Sequence, residues 1–595
     1  MKQTFTICPH CGCGCGLYLV QQDGRTGGVT ASQEHYFSAG QLCARGWTGY
    51  QLLWSPLRIK TPLYKKNDGL APIGYDKGLE AAAKKLRSIK EKHGPQSIGV
   101  IASSRLTVEE AQALRSFAKD ILETPNYDSA ARLGYLPMEF PKTAAITDIP
   151  GADLIMVLGT NLMEENPMLG ARVVSACKPE ADRPYQSADL SHVIAAKPVR
   201  LAVMDSRKSA LAGAAELFLK TVPGYEAGAL LALLKVLMEK HQLEPKDPAF
   251  RKVKEALAKM TWENLLANTG LVLPNMEQLG AMIASAKAPL LIFGRSLFTG
   301  HDAAAARSAM TGLSLLLPEK LSVIQATAAA NDWGCARILG PDKGQGYLEM
   351  IESLASGKLK ALVLVGEDPL KTLGGKEGIS QALAQAELVV AFDHFASESH
   401  QYAEAVFPLA LSFEKDGSFC NLDGKRQKFE QALKPDLDIK SLEESLKIMS
   451  SVIGGKLDPK DELTQPAKAG WDAAFDLSKA APQSFVLELG SAYPHLYGDD
   501  QLTFNSYHLT REFAGGYVEL HPDDIKELGV RAGWKVKVIS AAGNLVATAR
   551  ANPDLVKKTA FMPAHFGGNL LAPAKPNHHL KTPQLRGIAV KIEKT

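Results

Sequence analysis

From residue 56 to residue 480 the chain alternates two patterns. Short unbroken apolar runs occupy 97–102, 154–158, 199–204, 290–293, 361–365 and 388–392. Between them lie longer stretches, such as 107–121 and 227–241, whose apolar positions recur at helical spacing. Unbroken runs of this kind predict strands buried on both faces, as in parallel sheets. Strand–helix alternation of this length predicts a doubly wound α/β core built on two sheets. Two flanking regions read differently. Residues 1–55 are rich in Gly and Cys, with short strand-like pieces at 17–20 and 28–30, and predict a small domain with little core of its own. After residue 483 the pattern becomes short strands at 516–520, 534–539 and 544–549, with turn glycines Gly529, Gly533 and Gly543. That pattern predicts an all-β barrel. The charged, proline-containing stretch 456–480 has no strong periodicity and reads as a linker. The expected organisation is a multidomain α/β protein: 1–55, a pair of interleaved α/β domains over 56–480, and a barrel over 481–595.

Composition narrows the class. A chain of 595 residues exceeds one hydrophobic core. A net charge of +3, from 67 basic and 64 acidic residues, leaves no electrostatic footprint for nucleic acid or an anionic membrane. No run of apolar residues is long enough to span a bilayer. The start lacks a signal-peptide pattern, and Cys177, Cys335 and Cys420 are scattered among apolar or small residues. A reducing cytoplasm is the expected location.

The remaining five of the eight cysteines fall in the first 43 residues. Cys8, Cys11 and Cys15 share one loop, and Cys43 answers from a distance. Four thiolates in this three-plus-one arrangement suit a [4Fe-4S] cube, which takes one sulfur per iron. Gly12, Gly14 and Gly16 let the backbone approach a cluster closely. A zinc site usually comes as two spaced pairs, and a disulfide framework needs an oxidising compartment, so both are weaker alternatives. Cys13 is a fifth thiol in the loop. A small residue that fits the turn is its plainer reading, and a substitute ligand the other.

Several predicted strands end in polar or glycine-containing turns: Gly159-Thr160-Asn161, Asp205-Ser206-Arg207, Gly294-Arg295-Ser296, Gly366-Glu367-Asp368 and Asp393-His394. Carboxyl ends of strands form the ligand crevice of open α/β sheets, and glycine there lets backbone N–H groups meet phosphate. Five such turns suggest a large nucleotide-like ligand; tight connections needed only for folding are the alternative. A histidine in such a place is more often structural, as is expected for His508 and His565. His394, beside Asp393, is evenly balanced, as is Glu414-Lys415-Asp416-Gly417 between a solvated turn and a cofactor-facing one.

With these residues in hand, the chain resembles the molybdopterin-dependent oxidoreductases, particularly the formate dehydrogenase catalytic subunit. It is also similar to the large iron–sulfur subunit of respiratory complex I. Ordered matches run over nearly the whole chain. They include Ser104-Arg105, Thr107 and Glu109-Glu110; Asn126, Asp128 and Ala131-Arg132; Gly159, Asn161, Glu164 and Pro167; and Asp205, Arg207, Ser209 and Ala212. They continue through Pro223-Gly224 and Glu226, Gly366-Glu367 and Pro369, Glu414 to Ser418 with Asn421, Arg426-Gln427, and Phe561-Met562-Pro563 with His565. The resemblance implies an N-terminal cluster domain, two α/β domains and a barrel. One or two molybdopterin guanine dinucleotides would bind between them, with molybdenum or tungsten left open. It carries cofactor contacts to Gly159, Asn161, Glu164, Asp205, Arg207, Gly366, Glu367 and Asp393, and more loosely to His508, Thr510, His565 and Asn569 in the barrel. A basic residue after the last cluster cysteine is the family's electron relay. Here it is Arg45, which keeps the charge and not the shape of the usual Lys.

The chain departs from the family at its active-site segment. Gly134 stands where formate dehydrogenases place a Cys or selenocysteine metal ligand, and Tyr135 where they place His. The family's further Arg is not evident in 325–334. Loss of ligand, His and Arg removes the positioning and electrostatics of hydride transfer. The expected function is therefore electron transfer in a cytoplasmic multi-subunit complex, with flavin-containing NADH-oxidising and ferredoxin-like iron–sulfur partners. The alternatives are an active molybdenum or tungsten oxidoreductase for formate or another small substrate, and a structural subunit with a vestigial pterin pocket.

Overall fold

The computed structural model describes residues 1–23, 25–67, 69–135, 137–178, 198–245, 250–340, 343–435, 439–461, 477, 485–495, 500–512, 515–573, 580 and 582–595. Most of the expected linker lies outside this set. The chain divides into two compact units, each drawn from three separate segments.

The first unit comprises Met1–Pro137, Thr327–Gln465 and Pro494–Ala514. Its N-terminal part is an antiparallel three-stranded sheet of Lys2–Ile7, Gly16–Gln22 and Arg25–Ala31. Its core is a seven-stranded sheet. Ala405–Pro408, Leu388–Asp393, Ala361–Val365, Ile98–Ala102 and Tyr127–Ser129 run parallel, and an antiparallel hairpin, Leu63–Lys66 and Gly69–Pro72, closes one edge. Ile98–Ala102 and Ala361–Val365 are buried at every position, which is why they read as unbroken apolar runs. The helix Val108–Ser116 begins with a reciprocal capping box. The Thr107 hydroxyl accepts from the Glu110 N–H at 3.1 Å, and the Glu110 carboxylate accepts from the Thr107 N–H at 3.0 Å. Its inner face packs with Leu79, Leu86, Val363 and Phe407 in the main apolar core.

The second unit comprises Met138–Ala326, Pro466–Tyr493 and Gly515–Thr595. It contains a five-stranded parallel sheet in the order Leu217–Lys220, Arg200–Asp205, Leu154–Leu158, Pro289–Phe293, Ser322–Gln325. It also contains a closed six-stranded barrel of Phe485–Gly490, Thr559–Pro563, Tyr517–Leu520, Asn544–Ala551, Lys535–Ile539 and Ile588–Lys594. Closure removes exposed strand edges. The α/β core, the two sheets and the barrel match the expected fold class. Among the described residues no helix is long and apolar enough to cross a membrane.

Candidate functional site

The cysteine loop is the connection between the first two strands. The Cys8 N–H donates to the Cys15 carbonyl at 2.9 Å, closing the loop directly beyond the Ile7–Gly16 strand pair. Gly14 has φ of +59° and donates its N–H to the Cys11 carbonyl, and a Cβ there would strike the Gln427 amide. A hairpin of Gly417–Cys420 and Arg426–Phe429 holds the loop from outside. The Leu422 N–H donates to the Gly12 carbonyl at 2.9 Å and the Gln427 amide to the Gly14 carbonyl at 3.0 Å. Cys8, Cys11 and Cys15 are buried, and Cys43 is partly exposed. Burial and the neighbouring cysteines push the Cys8 and Cys15 thiols well above their usual range, while the buried Arg45 guanidinium opposes this. Four thiols and one guanidinium thus act on one another in a single place. Cys13, fully buried, hydrogen-bonds Cys11. Among the described residues no three His, Cys, Asp or Glu side chains gather as ligands of one metal ion.

A cavity opens beside this loop, within the first unit. Its walls include Pro9 of the cysteine loop, Ser103 and Arg105 after one parallel strand, and Glu367, Asp368 and His394 after two others. Arg105 also donates to the His10 carbonyl at 3.4 Å. Gly366 turns the chain with φ of +63°. Burial pushes the Glu367 carboxyl up to about 7, where the Tyr347 hydroxyl donates to it at 3.0 Å. Burial, with Lys415 and Arg58 nearby, pushes His394 down to about 3, so its ring is neutral. Asp393 is buried, accepts from the His394 N–H at 2.7 Å and faces His400 at 3.3 Å. Glu414 is not a solvated turn residue: it is buried against Arg58 at 2.7 Å. Lys415 pairs with Glu110 at 2.6 Å and lines the cavity.

In the second unit the carried-over residues also collect at strand carboxyl ends. Gly159, φ +57°, leads into Thr160 and Asn161 after Leu154–Leu158. Glu164 meets Arg207 at 2.6 Å, and the Arg207 guanidinium lies 3.4 Å over the Phe561 ring. Burial pushes Glu164 up to about 7 against the opposing pull of Arg207. Asp205 joins Glu226 and Glu488 around Arg586, at 3.6, 3.0 and 3.4 Å respectively from Nη2. His565 and Asn569 follow the barrel strand Thr559–Pro563, with the His565 ring against Phe566.

Two placements correct the sequence reading. His508 and Thr510 are in no barrel strand; they belong to the helix Tyr507–Glu512 in the first unit. There the Thr510 hydroxyl donates to the Phe504 carbonyl at 2.8 Å, and His508 hydrogen-bonds Gln51. The sequence reading also missed Arg586 and Glu488, whose partners are distant in the chain and leave no local motif. It missed Arg337, which is visible only through its helical i,i+4 spacing from Trp333, over whose ring it lies at 4.1 Å. At the departure from the family pattern, Ala130–Leu133 forms a short 3₁₀ turn and the Tyr135 N–H donates to the Ala131 carbonyl at 2.7 Å. The Tyr135 ring is buried in the apolar core with Ala336 and Leu339, and its hydroxyl meets Arg337.

A loop of buried cysteines beside a cavity at the carboxyl ends of a parallel sheet defines a cofactor-binding redox protein. Three family models match the chain: the molybdopterin oxidoreductase Fe4S4 domain over residues 1–54, molybdopterin oxidoreductase over 58–451, and the molydopterin dinucleotide binding domain over 495–589. The chain belongs to the molybdopterin oxidoreductase family. It is 26% identical to the F420-dependent formate dehydrogenase subunit alpha of Methanocaldococcus jannaschii, with 99% of each chain covered. It is 25% identical to the NADPH-Fe(3+) oxidoreductase subunit alpha of Geobacter sulfurreducens, over 95% of this chain and 72% of that one. In fold it is similar to acetylene hydratase from Pelobacter acetylenicus, with a TM-score of 0.77, 15% identity and full coverage of both chains.

The domains matched are those of a [4Fe-4S] cluster and a molybdopterin guanine dinucleotide, and the residues present fit both. The four thiols supply one donor per iron. At the strand ends, the buried Asn161 Oδ1 and Asp368 Oδ2 lack a hydrogen-bond partner among the described residues. Buried polar atoms left this way are costly unless a ligand or water satisfies them.

Proposed function

We propose that the chain is the iron–sulfur electron-transfer subunit of a multi-subunit oxidoreductase, formate-dehydrogenase-like in build, whose active site no longer supplies a protein ligand to the metal. The observation that carries this reading is the Gly134-Tyr135 pair: glycine has no donor atom, and Tyr135 is buried in the core against Arg337. Cys8, Cys11, Cys15 and Cys43 hold the cluster, which supplies one-electron transfer when bound. Arg45 stands beside the thiolates as their counter-charge and as the relay position. Gly366, Glu367 and Asp393 in the first unit form one dinucleotide-reading constellation; Gly159, Asn161, Glu164, Asp205 and Arg207, with His565 and Asn569, form another in the second. His508 and Thr510, on a helix of the first unit, belong to the same reading as looser cofactor contacts. The domain limits 1–55, 56–480 and 481–595 and a cytoplasmic location belong to the same reading. Its relatives include subunits alpha of a formate dehydrogenase and of an NADPH-Fe(3+) oxidoreductase. Partners that carry flavin or iron–sulfur centres are consistent with those names.

One observation favours a second reading, an active molybdenum or tungsten oxidoreductase for another small substrate. The cavity beside the cysteine loop keeps a neutral His394, a Glu367 pushed up to about 7 and a cationic Arg105 in one wall. Such groups can position a substrate and move a proton. Elemental and cofactor analysis of anaerobically purified protein, followed by dye reduction with formate, separates the readings. The electron-transfer reading expects cluster iron with neither molybdenum nor tungsten and no formate-dependent reduction; about one molybdenum or tungsten per chain supports the enzyme, and robust reduction by formate overturns the electron-transfer reading.

A further inference from the structure

The near-neutral balance of the whole chain conceals an uneven distribution of charge. Residues 531–595 hold eleven basic and two acidic residues, whereas the preceding 530 hold 56 and 62. Three of the eleven are matched within the second unit: Arg586 by its buried carboxyl groups, Lys557 by Asp523 and Lys558 by Glu527. Five others gather on one outer face of the barrel, at the strands Lys535–Ile539 and Ile588–Lys594. Side chains alternate in and out along a strand. Val536 and Val538 are buried, so Lys535 and Lys537 point outward. Register sets Lys537 between Val546 on one neighbouring strand and Glu593 on the other, and Ile539 opposite Lys591. Arg531 and Lys594 lie against the Trp534 ring, 5.8 and 5.3 Å from its centroid, and Trp534 is still 44% exposed. Glu593 is the only carboxylate on these two strands, and Lys591 pairs with it. Among the described residues Arg531, Lys535, Lys537 and Lys594 form no ion pair.

We propose that this face of the barrel docks a separate protein through that protein's acidic surface, reversibly and in a manner set by ionic strength. The surface shares no residue with the cluster or the strand-end sites, so its role holds on either redox reading. Four unmatched cations on and beside neighbouring strands repel one another, and carboxylates of a partner relieve that repulsion. The barrel is closed and offers no free strand edge, so a partner cannot bind by adding a strand, and side-chain charge is left as the means of recognition. Trp534, Val546 and Ile539 supply apolar contact among the cations, the mixture of Trp, Arg and aliphatic residues that carries protein interfaces. Nucleic acid fits less well. Glu593 beside Lys537 would face phosphate, and two cations already lie against the one ring on which a base could stack. A membrane surface calls for an apolar wedge clear of charge, which Trp534 between Arg531 and Lys594 is not. A face whose middle is charged and open to water speeds encounter more than it prolongs binding, hence a reversible complex.

The test uses the full-length chain purified anaerobically from its own host at low salt and treated with a carbodiimide, which joins lysine amines to touching carboxylates without a spacer. Lys535→Glu/Lys537→Glu is compared with the milder Lys535→Gln/Lys537→Gln. The control is Lys84→Glu/Lys92→Glu, an equal charge reversal on an exposed helix face of the first unit. In the wild type, mapped cross-links should join Lys591 and Lys594 to Asp or Glu residues of one other protein at a fixed ratio. Their yield should fall at least ~tenfold in the Glu pair, partly in the Gln pair and not in the control. It should also fall in ~0.5 M sodium chloride, where charges are screened within a few ångströms. Cluster iron and melting temperature should be unchanged throughout; if the Glu pair unfolds the barrel, the Gln pair decides. Absence of cross-links at these lysines overturns the proposal, as does a yield indifferent to the variants or to salt. So does a partner that is a second copy of this chain, or binding of duplex DNA or phosphatidylserine vesicles that the wild type shows and the variants lose.

Discussion

Arg586→Met should destabilise the second unit in a manner that depends strongly on pH. The Arg586 side chain is 1% exposed, and its Nη2 faces Asp205, Glu226 and Glu488 at 3.6, 3.0 and 3.4 Å. One guanidinium therefore answers three buried carboxyl groups, and even with it present burial pushes Asp205 up to about 6 and Glu226 up to about 7. Both values lie above the roughly 4 of an unfolded chain. Their protonated forms are therefore favoured by folding, and the stability they contribute is full below about pH 4 and lost as pH rises through 6 to 7. Removing Arg586 raises both further. At pH 5 Asp205 and Glu226 are neutral with or without the guanidinium, and the substitution should cost less there than at pH 8. At pH 8 it leaves buried charge unpaired, a loss of about 3–5 kcal/mol. In a unit of this size that corresponds to roughly 6–10 °C in apparent melting temperature.

The assay is differential scanning calorimetry at one fixed scan rate, because large chains unfold irreversibly and the apparent midpoint depends on rate. Adding Asp205→Asn, Glu226→Gln and Glu488→Gln to Arg586→Met should restore most of the loss at pH 8, since breaking a buried pair is costly and neutralising all of it is not. A fall of equal size at pH 5 and pH 8, or no rescue by the neutral set, would refute the electrostatic account and point to packing of the long side chain instead.

The cysteine assignment predicts that Cys43→Ser strongly lowers cluster iron and visible absorbance; unchanged iron would make Cys13 the fourth ligand. The Gly134-Tyr135 pair predicts no formate-dependent dye reduction by the assembled subunit, checked with a benzyl-viologen assay. Asn161→Ala removes an Oδ1 that has no hydrogen-bond partner among the described residues, so it should leave the melting temperature within about 1 °C. It should nevertheless lower bound pterin dinucleotide, read by fluorescence after oxidative release, while cluster iron stays constant.

The sequence made the buried strands legible and the edges obscure. Leu154–Leu158 and Ala361–Val365 coincide with apolar runs because helices cover both faces of a parallel sheet. Leu217–Lys220 and Ser322–Gln325 lie at the edges of their sheet, are only four residues long and carry polar positions, so no run announces them. Lys2–Ile7 carries only Phe5 and Ile7 as apolar residues and buries the polar Thr4 and Thr6, so no apolar run announces it. The cysteine loop was legible because its spacing is local. The Arg586 cluster was not, because it joins residues 205, 226, 488 and 586 through tertiary contact alone. His508 misled for a related reason: an aromatic neighbourhood in sequence says nothing of whether the backbone is helix or barrel strand.

The family-like motifs do not all bear on chemistry, and the structure separates those that have a structural task from those that do not. Thr107 and Glu110 cap a helix, and Glu110 also holds Lys415 at 2.6 Å. Glu109 accepts from the Ser418 hydroxyl at 2.7 Å and pairs with Arg426 at 2.8 Å. These contacts fix the hairpin whose next residues, Leu422 and Gln427, bond the carbonyls of Gly12 and Gly14 in the cysteine loop. On the proposed electron-transfer reading the chain still needs every one of them. Retention of those motifs is therefore no measure of catalysis, and it is compatible with the proposed reading in which Gly134 takes the metal-ligand position. Asn161 Oδ1 and Asp368 Oδ2 are different. Each is a buried polar atom with no hydrogen-bond partner among the described residues, and leaving such an atom unsatisfied costs about 1–3 kcal/mol. Folding accounts for the other oxygen of Asp368, whose Oδ1 accepts from the Leu370 N–H at 3.0 Å and caps the next helix; Asp368 Oδ2 and Asn161 Oδ1 have no such task, and a bound dinucleotide would give them one. The cofactor-binding role of the strand ends is thus best judged at these two atoms, and the role of the rest of the motif at the cluster it supports.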